Sequence, residues 1–277
     1  MVGKGKAFTK NLLGVDVYYE LYPNKDATNK PVMVLIHGFL SSSFSYRRLF
    51  PLLKKDYTVL TVDLPPFGKS GKQTTFVYSY ENMAKLVLQL LQSLSFHRAI
   101  VVGHSMGGQI ALNMSKLKPD IVEKCILLCS SGYQKRMSSS LIVSSRIPFF
   151  HMWVKYWLGR KGILGNLYNV VYDRSLVDDE MVSGYLQPFT NDDIFRALTR
   201  MIRDREGDLG AEELKGIETP NLLIWGEEDR VVPLPIGVRL SNDLPNSKLI
   251  TYKKTGHLLP EEKPDYVTEN ILEFAQS

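Results

Sequence analysis

Short apolar runs alternate with longer amphipathic stretches along most of the chain. VMVLIHG, YTVLTVDL, AIVVGHS, CILLCSS, NLLIWGE and KLITYKK each read as a strand buried on both faces. The segments between them have helical length and period. In SYENMAKLVLQLLQSL, Met83, Val87, Leu90, Leu91 and Leu94 recur at three- or four-residue steps, which predicts an amphipathic helix. This alternation predicts an α/β fold with a mostly parallel sheet covered by helices on both faces. The first residues follow another rule: KAFTKNLLGVDVYYELYP alternates polar and apolar around Gly14, as a hairpin would, so the sheet is expected to start antiparallel. From about Gln134 to Gly216 the pattern is helical without a convincing strand, and NLLIWGE then resumes the sheet, which reads as a helical insertion.

A chain of 277 residues, 44% hydrophobic and 23% charged, has the composition of a globular protein. It is long enough to bury about three quarters of its unfolded surface without staples. The two cysteines, Cys125 and Cys129, share the apolar run CILLCS, a setting that speaks against a disulfide or a metal role. MVGKGKAFTKNLLG lacks the apolar stretch of a secretory signal, and no run approaches the length of a membrane span, so a cytoplasmic location is expected. The net charge of +5 comes from mostly scattered lysines and arginines, without a nucleic-acid motif, and is read as solubility.

The strongest chemical signal is Gly103-His104-Ser105-Met106-Gly107-Gly108, directly after the strand AIVV and before the helical QIALNMSKL. A serine on a sharp strand-to-helix turn is forced out above the sheet, and the flanking glycines are needed where side chains would meet backbone. The Met106 amide opens the helix beside it, where an anion is favoured. Serine needs a base, and the base needs an orienting acid. Two histidines follow Ser105: His151 sits in the aromatic FFHMWVKYW, whereas His257 follows the last strand after a glycine and is taken as the base. Asp229, in the turn after NLLIW, is taken as the acid, with Glu227 and Glu228 as rivals in the same turn.

The order Ser105, Asp229, His257, each at a strand end, resembles the α/β-hydrolase superfamily from near residue 10 to the C-terminus. Further matches are His37-Gly38-Phe39, Asp63-Leu64-Pro65, Phe67-Gly68-Lys69-Ser70, and Gly256-His257 with Glu261 and Pro264; Pro66 departs from the glycine of many relatives. The resemblance implies an eight-stranded sheet, a core of residues 1–132 and 217–277, and a helical cap or lid of residues 133–216. It also implies an oxyanion hole made by the backbone amides of Phe39 and Met106, with no metal or organic cofactor. Substrate-pocket candidates are His37, Gly38, His104, Trp153 and Trp157.

Between Ser131 and Tyr172 the chain carries Lys135, Arg136, Arg146, Lys155, Arg160 and Lys161 and no acidic residue, interleaved with aromatics. One reading is a basic rim that makes weak contact with a membrane surface or an acidic carrier; the other is a solvated, packed helical segment. The leading function is a carboxylester hydrolase for a small-molecule ester with an apolar acyl group, working as a monomer or dimer. Serine at position 105 disfavours the aspartate chemistry of haloalkane dehalogenases and epoxide hydrolases. Carbon–carbon bond hydrolases of ring-cleavage products stay open, although they often carry Asn where His104 stands. A ligand-sensing receptor or signalling protein on the same fold is the alternative from another class.

Overall fold

The computed structural model describes residues 5–160 and 162–277, so Lys161 and residues 1–4 of the expected core lie outside the described residues. Its centre is one eight-stranded sheet with the spatial order β1-β2-β4-β3-β5-β6-β7-β8. The strands are β1 (Lys6–Leu12), β2 (Val15–Tyr22), β3 (Val32–Ile36), β4 (Val59–Val62), β5 (Ala99–His104), β6 (Val122–Leu128), β7 (Asn221–Gly226) and β8 (Ser247–Tyr252). β1 and β2 form the expected hairpin, Leu12 facing Val15 across a turn at Leu13 and Gly14, and β2 pairs antiparallel with β4. All other pairings are parallel. The loops after β3 to β8 therefore gather at one edge of the sheet.

The helices, in order, are α1 (Phe50–Leu53), α2 (Tyr80–Ser93), α3 (Met106–Leu117), α4 (Ser139–Ser144), α5 (Phe150–Gly159) and α6 (Gly162–Val170). They continue with α7 (Asp179–Leu186), α8 (Asp193–Asp204), α9 (Ala211–Lys215), α10 (Leu234–Asp243), α11 (Leu259–Glu262) and α12 (Pro264–Gln276). α2 is the helix read from its apolar steps: Ser79 caps it by accepting from the Asn82 amide, and Met83, Val87, Leu90 and Leu91 are fully buried. β3 to β7 are buried nearly throughout, as parallel strands under helices must be. β8 corrects the expectation of burial on both faces. It is one of the two edge strands, with no residue fully buried, and nothing pairs beyond it in the sheet.

The segment between β6 and β7 contains six α-helices and no strand among its described residues. It does not pack as one unit. α8 sends Ile194, Phe195, Ala197, Leu198 and Met201 into the main core. α6 and α7 instead build a second apolar cluster from Leu167, Val171, Met181 and Tyr185, joined by Leu258 from the loop after β8. That loop is thereby held from both sides. No helix among the described residues is long and apolar enough to cross a membrane.

Candidate active site

The parallel strand order reverses at β3: β4 lies on one side and β5 on the other. Loops at such a reversal splay apart and leave a crevice at the strand ends. The loop after β3 carries Gly38 and Phe39, and the turn after β5 carries Ser105. A Cβ added to Gly38 would lie 3.1 Å from the Cβ of Ser105, so the two loops touch.

Ser105 stands between β5 and α3 with φ 52° and ψ −118°, a conformation that L-residues rarely adopt. Backbone hydrogen bonds hold it there: its amide donates to the Leu128 carbonyl at 3.0 Å, and its carbonyl accepts from the Gly108 and Ser131 amides at 2.9 and 3.0 Å. The tight turn also explains its glycines. A Cβ at Gly103 would lie 2.3 Å from the Gly107 carbonyl oxygen, and one at Gly107 would lie 2.2 Å from the Ile36 carbonyl oxygen. The Ser105 hydroxyl makes no hydrogen bond among the described residues, and neither do the Phe39 and Met106 amides. These three groups remain available to a ligand.

Asp229, after β7, and His257, after β8, meet at the same edge of the sheet. His257 Nδ1 lies 2.7 Å from Asp229 Oδ2, with both residues buried. The other carboxylate oxygen, Oδ1, accepts from the Val231 and Val232 amides at 2.8 and 2.9 Å. The Trp225 indole donates to the Val232 carbonyl and closes this turn. Burial pushes the Asp229 carboxyl up, but the His257 hydrogen bond and charge and the two amides outweigh it, so it is held below its ordinary value and stays ionised. The rivals in the turn are spent elsewhere: Glu227 accepts from the Thr251 hydroxyl at 3.0 Å, and Glu228 accepts from the Thr255 amide at 2.9 Å. His151 lies on α5 beside Phe149, outside this group. The Asp229 and His257 loops approach at Gly226, where an added Cβ would lie 2.3 Å from the Gly256 carbonyl oxygen.

His257 is fixed through its backbone as well. Its amide donates to the Val170 carbonyl at the end of α6 at 2.7 Å. Its carbonyl accepts from His104 Nε2 at 2.8 Å, and the two rings tilt together at 4.8 Å. Donation from Nε2 makes the buried His104 Nδ1 an acceptor, and it has no partner. Burial and the neighbouring His257 push the His104 imidazole down to about 3, so it is neutral. His104 holds the histidine opposite Asp229; its ring is not on an open wall.

Two further pocket candidates lie in contrasting surroundings. His37 is fully buried, Nδ1 donating to the Gly38 carbonyl at 2.8 Å and Nε2 accepting from the Leu64 amide at 2.9 Å, so no ring nitrogen is left for a ligand. Burial pushes this imidazole down too, which keeps it neutral between its two backbone partners. Trp153 and Trp157 are 50% and 57% exposed, because α5 turns Phe150, Val154 and Leu158 inward instead. Asp63, read only as part of a pattern, ties the loops after β3 and β4 by accepting from the Ser43 and Lys69 amides at 2.7 and 2.8 Å.

Cys129 was not placed in the site by sequence reasoning. At the end of β6, one strand from Ser105, it brings its sulfur together with Asp229 and His257, all ligand atoms lying within 4.8 Å of one another. The available signal was its place at a strand's C-terminal end. Burial and the Asp229 charge push the thiol well up, so it stays protonated, and the His257 and Asp229 atoms are engaged with each other and with amides. Such a donor set suits an apolar wall better than a cation. Cys125 and Cys129 are both free thiols.

Four residues beyond His257, the buried Glu261 pairs with Arg47 and, at 3.4 Å, with Arg48, linking α11 to the segment before α1. Removing one partner of a buried pair leaves the other charge uncompensated. Glu261→Ala is expected to lower stability by about 3 kcal/mol, at the low end of such losses because Glu180 remains 3.6 Å from Arg47. A chemical denaturation midpoint measures it, and an unchanged midpoint would mean that Arg47 is hydrated without cost.

A sequence model of the family described as "alpha/beta hydrolase fold" matches residues 31–157. An uncharacterized hydrolase of Bacillus subtilis, YugF, is 52% identical over 261 residues, covering 94% of each chain. A 2-hydroxy-6-oxononadienedioate/2-hydroxy-6-oxononatrienedioate hydrolase of Paraburkholderia phymatum is 27% identical over 279 residues, covering 95% of this chain and 93% of its own. Among solved structures, the meta-cleavage product hydrolase CumD of Pseudomonas fluorescens superposes with a TM-score of 0.79 at 22% identity, covering 99% of this chain and 98% of that one.

Proposed function

The chain belongs to the α/β hydrolase fold family, and from that premise we propose that it is a serine hydrolase cleaving carboxylic esters through an acyl-enzyme. The observation that carries this reading is the buried 2.7 Å pair of Asp229 and His257 at the ends of β7 and β8, on the same edge of the sheet as a strained serine whose hydroxyl, like the Phe39 and Met106 amides, is unpaired among the described residues. Ser105 Oγ attacks the ester carbonyl carbon while His257 Nε2 takes its proton. The charge that develops on the carbonyl oxygen is stabilised by the Phe39 and Met106 amides. Each such donor is worth about 10²–10³ in rate, because it acts mainly in the transition state. His257 then gives the proton to the leaving alkoxide. Water, deprotonated by the same histidine, attacks the acyl carbon, releases the acid and restores Ser105. Asp229 stays ionised throughout and balances the imidazolium.

An apolar acyl group suits Phe39, which is 46% exposed and packs its ring against Phe67 next to the amide assigned to the oxyanion hole. Residues 133–216 act as the cap over this crevice, with Val170 of α6 holding the histidine. The second reading, carbon–carbon bond cleavage, draws on the 27% identity with the dienedioate hydrolase. A dioate substrate carries two carboxylates, which need cations at the site. Arg47 and Arg48, on the segment that touches the histidine loop, are committed to Glu261, and this favours the neutral ester. The discriminating assay compares p-nitrophenyl esters, from acetate to palmitate, with a 2-hydroxy-6-oxodienoate. Multiple turnovers on the esters, with an optimum in chain length, are expected. Turnover of the dienoate alone would move the assignment to the second reading, and one stoichiometric acylation without turnover would indicate a ligand-sensing protein.

A further inference from the structure

α5 is apolar on two opposite sides. Phe150, Val154 and Leu158, at steps of four, pack against the main core. The other side is open: Met152, Trp153, Tyr156 and Trp157 are 61%, 50%, 69% and 57% exposed. The turn from α4 extends this face with Ile147 and Phe149, 61% and 72% exposed, and Phe149 sits in the left-handed region at φ 64°. A helix with two apolar sides and only one of them packed leaves the other for a partner, and an exposed apolar patch of this kind marks an interaction surface.

Charge identifies what covers it. The stretch from Ser131 to Tyr172 that carries this face has six cations and no acid in its sequence. Lys155 is paired with Asp192 at 2.6 Å, and Arg136 donates to the Arg203 carbonyl at 3.2 Å. Arg146 and Arg160, exposed at the two ends of the aromatic face, make no ion pair among the described residues. A second copy of the chain docked through the same face would set this cationic stretch against itself, since a two-fold interface repeats the same patch on both sides. Tryptophan and tyrosine between arginines, by contrast, match the boundary between phosphate headgroups and acyl chains.

We propose that the outer face of α5 and of the turn before it docks on an anionic lipid bilayer, with Ile147, Phe149, Met152, Trp153, Tyr156 and Trp157 entering the headgroup boundary. Arg146 and Arg160 meet lipid phosphates. α6 follows this face in the chain and ends at Val170, which bonds the His257 backbone, so a single helix links the docked face to the candidate site. Docking does not depend on the ester reading, because binding requires no chemistry.

The test uses the full chain with vesicles of phosphatidylcholine mixed with phosphatidylglycerol, and with vesicles of phosphatidylcholine alone, in a sedimentation assay and by tryptophan emission. The chain has three tryptophans, and Trp225 is fully buried, so a change in emission reports Trp153 and Trp157. Sedimentation with the anionic vesicles and a blue shift are expected. Trp153→Ser with Trp157→Ser is expected to weaken binding by about tenfold or more. Arg146→Glu with Arg160→Glu is expected to abolish the preference for anionic lipid, with unchanged circular dichroism in both cases. Equal binding to both vesicles, binding unaffected by either double substitution, or no binding at all would overturn the proposal. So would a dimer in light scattering that the tryptophan substitutions dissociate. An inactive protein that still binds vesicles in this pattern would sink the ester reading and leave the docking surface standing.

Discussion

Ser105→Ala is expected to lower turnover by about 10⁶-fold and to leave the fold unchanged. Triad members act as a unit, so losing the nucleophile costs nearly everything that the constellation supplies. Alanine keeps the Cβ and therefore meets the φ 52°, ψ −118° turn on the same terms as serine. The hydroxyl makes no hydrogen bond among the described residues, so its loss orphans no partner. Stability is then expected to stay within about 0.5 kcal/mol of wild type. Steady-state kinetics and a thermal melt check both halves; residual turnover within about tenfold of wild type would remove Ser105 from the mechanism.

Asp229→Asn is expected to cost about 10⁴ in turnover with the geometry nearly intact. The reason lies in proton placement. The asparagine carbonyl oxygen can keep the Val231 and Val232 amides that Oδ1 now accepts. Its NH₂ then replaces Oδ2 opposite His257 Nδ1. Two donors cannot face each other there, so His257 must present a bare Nδ1 and carry its proton on Nε2. In that tautomer it has no lone pair to offer Ser105. Turnover near wild type would mean that another carboxylate orients the histidine. Glu227 and Glu228 are the sequence neighbours to test, although each already accepts from a threonine group.

The sheet was legible because its strands carry their own signals. Alternation around Gly14 marked the hairpin, and short apolar runs marked the parallel strands. The apolar run of β8 reads the same as the others, yet strand order alone decides which strand is the edge, and order is a tertiary property. The candidate residues Ser105, Asp229 and His257 stood out as strand-end residues. The structure brings Asp229 and His257 together and sets Ser105 beside Gly38. What the sequence hid was reach across the fold. Its strand-end position sets Cys129 apart from Cys125, but only the meeting of β6, β7 and β8 places its sulfur beside Asp229. His37 and His104 looked like wall residues because polar rings near a nucleophile suggest ligand contact, whereas both serve backbone groups in the buried layer. Trp153 and Trp157 lie on a helix that is apolar on two sides, and periodicity does not say which side faces in.

The most direct measurement is peptide mapping by mass spectrometry after reaction of the intact chain with a fluorophosphonate. Such a probe phosphonylates an activated serine oxygen with loss of fluoride. A single adduct on Ser105, absent in Ser105→Ala and strongly slowed in His257→Ala, is the predicted result. An adduct on another residue, or equal labelling in the Ser105→Ala protein, would contradict the assignment of Ser105 as the nucleophile served by His257 and Asp229.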